Sequence, residues 1–189
     1  RFAETLLPLI HDDQEHAVAM AEDVLGSFLD LHQAAIERRF TAKVGLEKCE
    51  QGDWDFAKDL LAIMAESDAD FTLVFRHLAD TLETGESQAF IRLFKSPDAV
   101  GKWLKNWRTR LNNTDQSEAV ALMRRSNPIY IPRNHRIEEA IEAGNGADFG
   151  PFHRLNDVLQ HPFEPRPECV EFESAPEPAE VVQATFCGT

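Results

Sequence analysis

Residues 12–45 read DDQEHAVAMAEDVLGSFLDLHQAAIERRFTAKVG, and the spacing of the apolar residues in this stretch decides the fold. Val18, Ala21, Val24, Leu25, Phe28, Leu31, Ala35, Ile36 and Phe40 recur at three- and four-residue steps, the period of one helical stripe. The ends agree with that period. Asp12 or Asp13 can cap the first turn, and Glu15, Glu22 and Asp23 sit early. Arg38, Arg39 and Lys43 sit late, and Gly45 stands where a left-handed residue closes a helix. One long helix from Asp12 to about Lys43 is therefore predicted.

Outward from it the same period continues. A second helix is expected after Asp53, carrying Trp54, Phe56, Ala57, Leu60, Leu61, Ile63 and Met64. A third is expected from about Asp70 to Leu82, with Phe71, Val74, Phe75 and Leu78 facing inward and Gly85 ending it. Further helices are read near Ser87 to Lys95, from Ser96-Pro97 to Asn112, from Asp115 to Arg125, from Arg133 to Ala143 and from Pro151 to Leu159. Pro97 and Pro151 suit the first helical positions, where a missing N–H costs nothing. The nearest approach to a strand is the short Ile129-Tyr130-Ile131 between two prolines, so the expected class is all-α, a multi-helix bundle-like domain over 1–162. From Pro162 on, Pro162, Pro165, Pro167, Pro176 and Pro178 are interleaved with glutamates, and an extended tail is expected over 163–189.

The chain has 189 residues, enough for a real core, and a net charge of -14, which disfavours a nucleic-acid surface. No run reaches the roughly 18 to 20 apolar residues a membrane-spanning helix needs, so no membrane partner is expected. Cys49, Cys169 and Cys187 are too few and too scattered for a disulfide scaffold or zinc site, which points to a cytoplasmic location. The apolar opening Phe2, Leu6, Leu7, Leu9, Ile10, with no Met before it, suggests a piece that begins inside a longer chain.

Several motifs invite chemistry and yield to simpler readings. Asp148-Phe149-Gly150 spells the magnesium triplet of protein kinases, and His135-Arg136 and His153-Arg154 spell half a catalytic loop. Neither is followed by the Asp and Asn that loop requires, and the glycine-rich loop and strand-borne lysine are missing. The triplet reads instead as a loop with a hydrophobic staple before the Pro151 helix. Ser67-Asp68-Ala69-Asp70 lacks the later ligands of a calcium loop and reads as a helix cap. Lys102, Lys105, Arg108 and Arg110 around Trp103 and Trp107 could grip an acidic partner, but the 3-4 spacing of the tryptophans fits a buried stripe with a basic solvent face. His11, His16 and His32 have no metal-selecting neighbours. Cys187, third from the end, is an accessible thiol that is either redox-active or a bystander.

The stretches Asn127-Pro128-Ile129-Tyr130-Ile131-Pro132-Arg133-Asn134-His135, Glu138-Glu139-Ala140-Ile141, Asp148-Phe149, Phe152-His153-Arg154-Leu155 and Cys187-Gly188-Thr189 together resemble the C-terminal region of the selenoprotein O family. Phe40-Thr41-Ala42-Lys43-Val44-Gly45-Leu46, Asp70-Phe71-Thr72 and Phe75-Arg76 extend the resemblance over essentially the whole chain. It implies a kinase-like parent that transfers AMP from ATP, with magnesium, to hydroxyl groups of proteins, the ATP- and metal-binding residues lying outside this sequence. No catalytic, cofactor-binding or metal residue is therefore expected here, and ATP and Mg belong to the full-length parent. The expected partners are the N-terminal kinase-like core of the same polypeptide and the parent's protein substrates. The resemblance also implies that Cys187 occupies the family's third-from-last Cys or selenocysteine position, where a disulfide to the activation segment is held to regulate activity. The competing reading is an independent helical protein-interaction module without nucleotide chemistry.

Overall fold

The computed structural model describes residues 2–184. It consists of nine α-helices and one 3-10 helix, with no strand among the described residues. The helices are α1 Phe2–Ile10, α2 Gln14–Lys43, α3 Asp53–Ser67, α4 Phe71–Thr84, α5 Gln88–Ile91, α6 Pro97–Leu111, α7 Gln116–Ser126, α8 Asn134–Asn145 and α9 Gly150–Gln160. The 3-10 helix is Pro167–Phe172.

Capping chemistry sets most of these ends. Asp13, Asp70 and Asp115 accept from the backbone N–H groups of His16, Leu73, and both Ser117 and Glu118. Gly45 takes the expected left-handed conformation (φ 83°) just beyond α2, and an added Cβ would sit 3.1 Å from Met123 Sδ, so both backbone and space favour glycine there. The helix expected over 87–95 shrinks to one turn, α5. The residue before Pro97 cannot remain helical, and Leu93 and Phe94 turn the chain toward α6.

The main core gathers α3, α4, α6 and α7 around the C-terminal end of α2. Trp107 is fully buried at its centre, and its indole N–H donates to Val44 O at 2.8 Å. Trp103 stacks on Phe56 at 4.6 Å and donates to Phe56 O. Both tryptophans thus hold apolar area and a satisfied donor in one place, as a buried indole requires. Phe71 was expected inward but is 45% exposed. It occupies the first turn of α4 at the rim, edge-on to Phe40 and under the Lys43 ammonium.

A second cluster, Ile129, Tyr130, Leu155, Val158, Cys169 and Phe172, joins α9 to the stretch after it. Here the structure departs from the extended tail expected from the proline and glutamate content. Residues 167–172 form a packed 3-10 helix because Cys169 and Phe172 fall three apart, one turn of that helix, and both insert under α9. Tyr130 fixes the segment by accepting from Arg166 N–H at 2.9 Å, and Pro162 O accepts from Ile129 N–H. Arg133 ties the two clusters together. Its guanidinium donates twice to Asp70, at 2.6 and 3.2 Å, and once to Glu173 O. Burial works against the Asp70 charge, but the Arg133 and Leu73 hydrogen bonds outweigh it and hold the carboxyl below its usual range.

Candidate functional site

The apolar stripe of α2 exists as read, but it is covered only at its two ends, by α1 around Ala17 and by the main core beyond Leu31. Ala35, Ile36, Phe40 and Thr41 approach the main core, whereas Met20, Val24, Leu25, Phe28, Leu29 and Leu31 are each more than half exposed. Met20, Val24, Phe28 and Leu31 follow one another at steps of four, four and three, which lines them up along one side. Helix α1 packs against α2 and adds exposed Phe2 and Leu9, at 77% and 83%. The result is a long apolar strip standing clear of both clusters. Isolated exposed leucines are ordinary on a protein surface, but a contiguous strip of this kind marks an interaction surface.

A second apolar surface lies between α8 and α9, a groove of about 540 Å³ whose walls include Pro132, Ile137, Ile141, Phe149, Phe152 and Leu159. The Asp148-Phe149-Gly150 triplet forms its rim. Asp148 accepts from the Gly150 N–H at 2.9 Å, which starts α9, and Phe149 lies 57% exposed over Gly144. The triplet is thus a helix-start loop that lends a ring to the groove.

The other candidates resolve likewise. Asp70 caps α4, and Asp68 pairs with Lys95, so the two carboxylates of 67–70 serve different partners. Trp103 and Trp107 are buried, Arg110 forks onto Asp53, and Lys102 and Lys105 face solvent. The His11 and His16 rings lie 5.2 Å apart, tilted to one another, beside the Asp13 cap. Among the described residues no group of three or more His, Cys, Asp or Glu side chains is placed to hold a metal ion. Cys49 is exposed and Cys169 is buried, both as free thiols. Cys187 lies outside the described residues. No helix among the described residues is long and apolar enough to cross a membrane.

The uncovered strip was half legible in sequence. Its period was visible, but its exposure depends on which neighbours the chain supplies. The available signal was the number of apolar residues around α2: Leu25 and Leu29 widen the stripe beyond what one packed side needs.

The family described as Protein adenylyltransferase SelO matches residues 1–160. The chain is 43% identical over 192 residues to the protein nucleotidyltransferase YdiU of Nitrobacter hamburgensis, with all of this chain and 38% of that protein aligned. Against its counterpart in Rhizobium etli the identity is 44% over 193 residues, covering all of the chain and 39% of the relative. In Ruegeria sp. it is 43% over 185 residues, covering 98% and 37%. The chain therefore spans about two fifths of the length of the curated relatives it matches. The match extends through both clusters and the uncovered α1–α2 strip, and the chain belongs to the protein adenylyltransferase SelO family.

Proposed function

We propose that this chain is the helical accessory region, C-terminal in its parent, of a cytoplasmic protein adenylyltransferase that moves AMP from magnesium ATP to protein hydroxyl groups. The observation that carries the reading is the uncovered α1–α2 strip on a chain that accounts for only about two fifths of its relatives' length. A strip of Met20, Val24, Phe28 and Leu31, each a little more than half exposed, forgoes about 1 to 2 kcal/mol for each side chain that a partner would bury. The remaining polypeptide, with the kinase-like core, supplies that cover, and the helices in turn brace the core. The test is whether residues 18–32 become protected when the rest of the polypeptide is present. An independent interaction module would keep the strip open for a separate protein.

The family membership also supports a gating role for Cys187, whose thiol would pair with a cysteine of the catalytic part. In the full-length protein, Cys187→Ser is expected to abolish the difference in AMP transfer between oxidised and reduced enzyme and to leave the reduced rate unchanged. An equal redox response in variant and parent would remove the gate from the account.

A further inference from the structure

Arg76 is a buried charge that the functions above do not use. It sits on α4 at 7% exposure, and its one hydrogen bond runs from Nη1 to Asn127 O at 3.2 Å, with no ion pair among the described residues. Burial lowers its pKa, the neighbouring Arg124 lowers it further, and Asp80 and Glu173 act in the opposite direction. A desolvated guanidinium without a carboxylate partner is costly, and a planar fork of N–H donors suits an oxyanion.

The guanidinium lines a cleft of about 570 Å³ between α4, α7 and the 163–173 segment. Leu73, Ile129, Phe163 and Pro165 form its apolar walls, and the charged groups facing it are Arg76, His77, Asp80, Glu83, Arg124 and Glu173. Arg124 is already engaged, donating to Asp80 at 2.6 Å and to Glu83 at 2.5 Å, and His77 also pairs with Asp80. That leaves Arg76 and Glu173 on the cleft without ion-pair partners among the described residues. Burial raises the pKa of Glu173, Arg76 opposes the shift, Asp80 adds to it and His77 opposes it.

The two guanidinium groups meet three carboxylates here. A fully deprotonated dianion is therefore repelled, while an oxyanion that brings its own proton is not. We propose that this cleft is a receptor for a phosphate monoanion, dihydrogen phosphate or a singly protonated phosphate ester, one oxygen accepting from Arg76 and the P–OH donating to the Glu173 carboxylate. The proton is the phosphate's own, and one N–H···O and one O–H···O hydrogen bond result. Sulfate has the same shape but carries no proton at neutral pH, so the cleft discriminates against it.

The site is tested by isothermal titration of the 189-residue chain with inorganic phosphate, glycerol phosphate and sulfate, between about pH 6.5 and 8.5. Saturable one-to-one phosphate binding is expected, weakening about ten-fold per pH unit in the upper half of that range, where the free ligand is the dianion and must take up a proton from solvent to bind. Sulfate should bind at least about ten-fold more weakly, since it lacks the shared hydrogen bond. The tighter of the two phosphates tells whether a free anion or an ester is the occupant. Arg76→Met removes binding, and Glu173→Gln, whose amide supplies a fixed donor, brings sulfate level with phosphate and flattens the pH dependence. Circular dichroism reports whether Arg76→Met folds, and the Glu173→Gln and sulfate comparisons decide independently of it. Absence of phosphate binding, equal affinity for both anions in the unaltered chain, binding that survives Arg76→Met, or a pH slope that persists in Glu173→Gln would each overturn the proposal.

Discussion

Trp107→Ala will lower the unfolding free energy of this chain by about 3 to 5 kcal/mol, the cost of emptying a buried aromatic site. Trp107 has no exposed surface, lies 6.0 Å from Trp103 in a stacked pair and is surrounded by the main core. Its removal also strips Val44 O of the indole N–H that fixes the end of α2, at 2.8 Å. A domain is stable by only about 5 to 15 kcal/mol, so one substitution would consume a large share of that margin. Urea denaturation monitored by circular dichroism measures the change. A loss under about 1 kcal/mol would mean that α2 is not anchored through this contact.

The second large effect lies in the parent protein. Phe28→Asp combined with Leu31→Asp should change the stability of the 189-residue chain by no more than about 0.5 kcal/mol per site, because both residues already face water at 58% and 68% exposure. In the full-length protein the same pair would place two carboxylates inside an apolar interface, at a cost of several kilocalories each unless the interface opens. AMP transfer should therefore fall at least about ten-fold, since 1.4 kcal/mol of lost catalytic geometry already suffices for that. Activity equal to the parent's, with the chain still folded, would show that the strip is not a seat for the catalytic part.

These two expectations divide along what the residues themselves reveal. The ends of α2, α4 and α7 were readable because an aspartate cap or a glycine exit acts within four residues, and local chemistry decides the outcome. The burial of Trp103 and Trp107 was readable from their spacing. The exposure of Phe28 and Leu31 was not, because a stripe looks the same whether its partner lies in this sequence or elsewhere in the polypeptide. Phe71 misled for a related reason, since it has the right period but falls on the first turn, at the rim. The 3-10 helix at Pro167–Phe172 was hidden because proline and glutamate argue locally for an extended chain. Cys169, Phe172 and the Tyr130–Arg166 hydrogen bonds override that preference from outside the segment. Arg76 likewise looked like any helix arginine, and only the packing of α4 against α7 and Asn127 shows it to be buried. Chemistry alone left the role of Cys187 open between a redox thiol and a bystander, and it is the family resemblance that favours the first.

The claim on which the functional reading depends is that the catalytic part of the polypeptide covers the outer face of α2. Amide hydrogen exchange over residues 18–32, compared between the full-length protein and the 189-residue chain, reads that cover directly. The account predicts exchange at least about ten-fold slower in the full-length protein, with the segment around Trp107 protected in both. Equal exchange of residues 18–32 in the two proteins would contradict it.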